Sequence, residues 1–149
     1  MSKLILKTGD VFTSTAPALA HGVNVDGLMT GGIAPYFRDK FPVMHDQYLR
    51  HCESGDLQAG GFFYWPAGID GDKHVFNLAS QDRPGPSARL EWLHTALDGA
   101  LAQADEEGIE TIAMPRIGCG VGGLDWVDVE PVIAGLAAKY SCNVEVWAF

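Results

Sequence analysis

Two glycine-rich segments carry the strongest chemical signal in this sequence. Gly31-Gly32-Ile33-Ala34 opens a stretch that reads as a helix, and Gly118-Cys119-Gly120-Val121-Gly122-Gly123 follows a stretch that reads as a strand. Glycine lets the backbone approach a ligand closely, and unpaired N–H groups in a turn or helix start form a concave site for phosphate. Taken alone, the first segment is as readily a tight turn that serves only the fold. Two such cradles together suit a diphosphate gripped from both sides. Neither is a P-loop, because the Gly-Lys-Ser/Thr ending is absent, and neither gives the Gly-x-Gly-x-x-Gly fingerprint after the first strand.

Four further residues could carry chemistry. Asp10, just after the first predicted strand, either caps a helical turn or accepts a hydrogen bond from a ligand amine. Asn24 ends a buried strand beside the first cradle, where an amide needs a partner from backbone or ligand. Trp147 and Phe149 close the last strand, with an aromatic face free for a base or simply packed into the core.

The elements that must position them follow from periodicity and punctuation. Leu4, Leu6 and their flanking lysines predict a first strand stopped by Thr8-Gly9-Asp10. Residues 18–24 read as a buried strand, followed by turn-rich residues 25–32. A short helix fits residues 33–41, ended by Pro42, and a second runs through Met44, Tyr48 and Cys52 until Ser54-Gly55-Asp56 breaks it. Residues 62–65 and 74–78 read as strands joined around Asp70-Gly71-Asp72. Residues 80–86 are too proline-rich for regular structure. Leu90, Leu93, Leu97, Leu101 and Ala104 recur at helical spacing up to Gly108. A strand at 111–114, a helix at about 127–139 and a strand at 143–149 complete the pattern.

Strands interleaved with helices, without linker, repeat or low-complexity tract, predict one α/β domain over residues 1–149. Its mixed sheet of about six strands carries helices on both faces. Sheets of that kind take ligands at loops beyond the carboxyl ends of their strands, where both glycine segments would lie.

Composition bounds the partners. A hydrophobic fraction of 47% in 149 residues supports an ordinary globular core. The net charge of −9 argues against tracking a nucleic-acid duplex, whose phosphates select basic surfaces. A nucleotide-sized anion remains within reach of backbone N–H groups. No apolar run approaches the roughly 18–20 residues of a membrane span. Met1-Ser2-Lys3-Leu4-Ile5-Leu6-Lys7 alternates and is too short for a signal-peptide core, so a cytoplasmic monomer without membrane contact is expected. Cys52, Cys119 and Cys142 form no Cys-x-x-Cys, and the five histidines show no metal-ligand spacing; His45 and His51, for example, are six apart. Reduced thiols, and neither metal nor cofactor, are expected.

Gly9-Asp10-Val11-Phe12, then Asn24 with Gly31-Gly32-Ile33-Ala34, then Met114-Pro115-Arg116-Ile117-Gly118-Cys119-Gly120 resemble the macrodomain family, in order and over essentially the whole chain. The resemblance is closest to the branch of terminal ADP-ribose protein glycohydrolase and of antitoxin macrodomains that remove ADP-ribose from thymidine in DNA. Gly120-Val121-Gly122-Gly123-Leu124-Asp125-Trp126 looks particularly like the antitoxin version. It implies that Asp10 accepts the adenine amine, with the Val11 backbone beside it, and that Asn24 faces the distal ribose. Gly31, Gly32 and Ile33 would form the first diphosphate and distal-ribose loop. Gly118, Cys119, Gly120, Val121, Gly122 and Gly123 would form the second, while Trp147 and Phe149 line the adenine pocket.

The departures bear on mechanism. Glycohydrolases of this branch attack the distal ribose with a lysine where this chain has Gln81, and glutamine forms no Schiff base. Protein-directed members carry an aspartate where this chain has Gly122; Asp125, the nearest carboxylate, reads as a helix cap. What remains is a water route through an oxocarbenium-like state stabilised by the substrate's own diphosphate. Asn24 and Gln81 would position water or ribose hydroxyls. Asp26 and Asp82 are the candidate bases and Arg83 a contact for the leaving group, each equally a solvated loop residue. The resemblance implies a hydrolase cleaving ADP-ribose from acidic protein side chains or from thymidine in DNA. The alternatives are a reader without turnover and an enzyme processing ADP-ribose-1″-phosphate or O-acetyl-ADP-ribose.

Overall fold

Alternation along the strands decides which face of the sheet each helix covers. The computed structural model describes residues 3–149; Met1 and Ser2 of the N-terminal segment read above lie outside the described residues. In β2 (Ala18–Gly22), Ala18 and Ala20 face the same core as Phe76 and Leu78 of β4 (His74–Leu78), whereas Leu19 and Val75 face the opposite one. Helices α3 (Leu90–Glu106) and α4 (Trp126–Ala137) seal the first core through Leu93, Leu97, Leu101, Val129 and Ile133. Helices α1 (Ala34–Lys40) and α2 (Pro42–Ser54) seal the second through Phe37, Met44 and Tyr48.

The remaining strands are β1 (Leu4–Thr8), β3 (Phe62–Trp65), β5 (Thr111–Pro115) and β6 (Asn143–Ala148). The six lie in the order β1-β6-β5-β2-β4-β3, all pairs parallel except the antiparallel β3–β4 edge. Leu4 stands opposite Val144, and Ala18 is flanked by His74 and Ile112. This is the mixed six-stranded sheet, helices on both faces, that the sequence predicts. No helix among the described residues is long and apolar enough to cross a membrane.

Local chemistry sets the boundaries. Pro42 ends α1 and opens α2, where its missing N–H costs nothing. Gly55 closes α2 in the left-handed region at φ 80°. Strand β2 stops at Gly22, two residues short of the expected end, although Val23 N–H still donates to Leu78 O at 2.8 Å; a side chain at 22 would meet Ser80 Oγ at 2.8 Å. Asp125 occupies the N-cap position of α4, but its carboxylate makes no capping bond, contrary to expectation. Its backbone carbonyl alone accepts the Asp128 and Val129 N–H groups, at 3.0 and 3.1 Å.

Five of the six strands point the same way, so the segments after β1, β2, β4, β5 and β6 emerge along one edge. That edge is where the glycine segments stand.

Candidate ligand-binding and active site

Two cavities lie along this edge and share walls at Gly32, Ile33 and Pro115. One, of about 460 Å³, is bounded by Asp10, Val11, Phe12, Tyr36, Trp147 and Phe149. The other, of about 340 Å³, is bounded by Asn24, Gly31, Gln81 and residues 118–122. Together they make an elongated trough with an acid and aromatics at one end, side-chain amides at the other, and glycine backbone between.

At the aromatic end, Asp10 Oδ1 accepts the Phe12 N–H at 3.0 Å and caps a 3₁₀ turn over Val11–Thr13. Capping uses one carboxylate oxygen, so it leaves a ligand role for the other. Trp147 is both core and cavity wall: it packs against the α1–α2 core, and its indole N–H donates to Glu145 Oε1 at 3.0 Å. Phe149 is fully exposed at the rim. Tyr36, absent from the sequence reading, stands exposed across from it on α1.

The two glycine loops oppose each other. A Cβ at Gly31 or Gly32 would lie 3.5 Å from the Val121 side chain, so Val121 is the point of closest approach across the gap. Gly122 is buried, and a Cβ there would stand 3.0 Å from Ala88 Cβ. Gly123 departs from its predicted role. It does not border the cavity, but sits at φ 85° against Pro86, whose Cβ is 3.0 Å from where a side chain would begin. Its lack of a side chain makes room for protein.

At the amide end, the partner of the buried Asn24 is its own loop. Nδ2 donates to Leu28 O at 2.8 Å, and Oδ1 accepts from Asp26 N at 3.0 Å. Tyr48 reaches up from α2 and donates its hydroxyl to Asn24 O at 2.7 Å. Burial pushes that phenol well above its ordinary range, keeping it a neutral donor. Tyr48 thus supports the site from beneath. The available signal was a tyrosine on the buried face of a helix, whose hydroxyl must find a partner. Gln81 borders the cavity, but its amide nitrogen lies 2.6 Å from Gly85 O.

The other carboxylates are less well placed. Asp26 is exposed, Asp82 pairs with the neighbouring Arg83 at 3.3 Å, and none of these three residues borders the cavity. Arg116 does border it, its guanidinium stacked 4.8 Å over Trp126. Among the described residues no three His, Cys, Asp or Glu side chains converge as a metal site. Cys52, Cys119 and Cys142 are all free.

A largely parallel sheet whose strand ends carry opposed glycine loops over a long trough has the form of a binding module for an elongated anionic ligand. The Macro domain family model matches residues 20–133, and the chain belongs to that family. It is 33% identical over 124 residues to the DNA ADP-ribosyl glycohydrolase of Mycobacterium tuberculosis, covering 83% of this chain and 35% of that protein. It is 27% identical over 147 residues to the human ADP-ribose glycohydrolase OARD1, covering 98% and 91%. Among solved structures, the macrodomain of Thermus aquaticus DarG superposes with a TM-score of 0.90 at 26% identity over both full chains. The chain spans between a third and two fifths of the length of the DNA-directed relatives it resembles.

Proposed function

We propose that this chain binds ADP-ribose along the joined cavities and hydrolyses the glycosidic bond linking ADP-ribose to thymidine in DNA or to an acidic protein side chain. The observation that carries the reading is the trough itself. Asp10 with Trp147 and Phe149 suits adenine, the opposed loops at Gly31–Gly32 and 118–122 suit a diphosphate, and the end bordered by Asn24 and Gln81 suits the distal ribose. The names of the DNA-directed and OARD1 relatives support the same reaction. The single sheet supports one domain over residues 1–149 and the three free thiols a reducing compartment such as the cytoplasm, where we read the chain as a monomer.

With Gln81 in place of an amine, water attacks the anomeric carbon while the bond to the leaving group breaks. The bonding pair leaves with the thymine nitrogen or carboxylate, and the water's proton passes to that group or to solvent. The bound diphosphate stabilises the oxocarbenium character that develops. Asn24, locked by Leu28 and Tyr48, contributes a fixed amide rather than a base. A second reading, binding without turnover, is favoured by the engagement of the Gln81 amide with its own loop.

Incubation with an ADP-ribosylated thymidine oligonucleotide, an auto-modified protein, ADP-ribose-1″-phosphate and O-acetyl-ADP-ribose decides among these. The expected result is release of free ADP-ribose from the oligonucleotide, with no lysine adduct after borohydride reduction. A reduced adduct on any lysine would overturn the water route, and binding without release would establish the reader.

The role of Asp10 is separable from its cap. Asp10→Asn retains an oxygen for the Phe12 N–H but presents a donor where adenine needs an acceptor. ADP-ribose affinity should fall by about 1–3 kcal/mol with little change in Tm. Calorimetry showing wild-type affinity would remove Asp10 from the ligand site.

A further inference from the structure

We propose that Gln81 is a positioning residue whose side-chain amide latches residues 82–87 against the second glycine loop, giving the distal end of the trough its wall. The segment lies between β4 and α3 and belongs to no helix or strand. It contains Pro84 and Pro86, which have no N–H to donate, so its carbonyls must find donors elsewhere. Gln81 supplies them. Its Nε2 lies 2.6 Å from Gly85 O and 3.3 Å from Arg83 O, with Ser87 Oγ at 3.4 Å. Since two of these are carbonyl acceptors, the amide can present only its nitrogen to them, and Oε1 is left on the other side. Oε1 then lies 3.8 Å from the position of a Gly122 Cβ, against the second glycine loop.

A second set of contacts seats the segment. The Ser87 hydroxyl donates to Arg83 O, Ala88 N–H donates to Gly122 O at 3.2 Å, and Arg89 N–H donates to Ser80 O at 3.1 Å. Pro86 and Ala88 fill the space that Gly123 and Gly122 leave open. Pro84 and Gly85 then border the cavity directly. A glutamine here supplies a neutral double donor that holds the wall.

For its ligand this inference rests on the ADP-ribose reading; the latch itself can be measured without ligand. Gln81→Met keeps length and neutrality and removes both donors. Hydrogen exchange at the Ser87 and Ala88 amides, which donate to Gly85 O and Gly122 O, should quicken by about tenfold, since their protection comes from local closure. Affinity for ADP-ribose should fall by about tenfold, while affinity for ADP, which lacks the distal ribose, stays within about twofold. A general loss of structure would weaken both ligands alike, so this ratio separates a positioned wall from damaged folding.

Ser87→Ala loosens the same segment from outside the cavity. It should move exchange and the ADP-ribose to ADP ratio in the same direction by about threefold, the scale of one neutral hydrogen bond. Unchanged exchange in Gln81→Met overturns the latch. So does a loss of ADP-ribose affinity in Gln81→Met with none in Ser87→Ala, which would make Gln81 a direct ligand contact. If the unsubstituted protein failed to bind ADP-ribose, the proposed function would fall while the exchange arm still decided the latch.

Discussion

Gly31→Glu is expected to weaken ADP-ribose binding by at least 100-fold while leaving the fold intact. The loop glycines are not equivalent targets. Gly32 and Gly120 adopt φ +59° and +67°, a region where any side chain costs about 1–2 kcal/mol of backbone strain. A glutamate at either would confound binding with stability. Gly31 lies outside that region, and a Cβ there meets Val121 at 3.5 Å, an ordinary contact. Its carboxylate would project into the gap between the two loops, where the diphosphate is proposed to sit. Like charges enclosed at that range readily cost the roughly 3 kcal/mol that 100-fold represents. Calorimetry with ADP-ribose, beside a thermal melt, reads both quantities. Affinity within threefold of wild type at unchanged Tm would mean that the ligand does not pass between these loops.

Why those loops were visible in the sequence, and their details were not, follows from the range of the contacts. The α3 heptad-like run Leu90, Leu93, Leu97, Leu101 and Ala104 is local, and all five are buried or half-buried as its spacing requires. Clustered glycines after strands are equally local, so both cradles could be placed at the strand ends. Composition does not reveal what a glycine makes room for. Gly122 and Gly123 are neighbours, yet one borders the trough and the other accommodates Pro86. Asn24 posed a different difficulty: its amide is satisfied within its own loop by Leu28 O and Asp26 N–H, and only the Tyr48 hydroxyl that reaches its carbonyl comes from a distant element. For Gln81 the sequence showed the missing lysine chemistry. That the amide serves Arg83 and Gly85 depends on how a proline-rich segment folds back, which no periodicity reports. Asp125 had the right type and place for a cap, but its exposed carboxylate turns elsewhere and the backbone serves alone.

The second large effect concerns stability in acid and centres on His21. This residue is fully buried in β2, stacked on Phe37 with ring centroids 3.8 Å apart. Its Nε2 meets Asn77 Oδ1 at 2.7 Å, while Nδ1 has no partner. Asn77 in turn donates to Phe63 O at 3.1 Å, so its oxygen faces the ring and the imidazole donates to it as a neutral group. Burial disfavours the imidazolium and lowers the pKa from 6.5 to about 4, a shift that the Asn77 bond only partly opposes. Because the folded pKa is depressed, the unfolded chain binds the proton more readily between those values. Stability is therefore fully present above about pH 6.5 and is lost as pH falls towards about 4, by about 3 kcal/mol for this group. Carboxylates also titrate in that range, so a reference is needed. His21→Gln keeps a neutral donor for Asn77 and removes the titration. The stability difference between wild type and this variant should shrink by about 3 kcal/mol between pH 7 and pH 4, and the His21 imidazole should stay neutral by NMR down to about pH 5. A difference that stayed constant with pH, or an imidazole titrating near 6.5, would show that solvent reaches His21 and that the core between β2 and α1 opens far more readily than its packing implies.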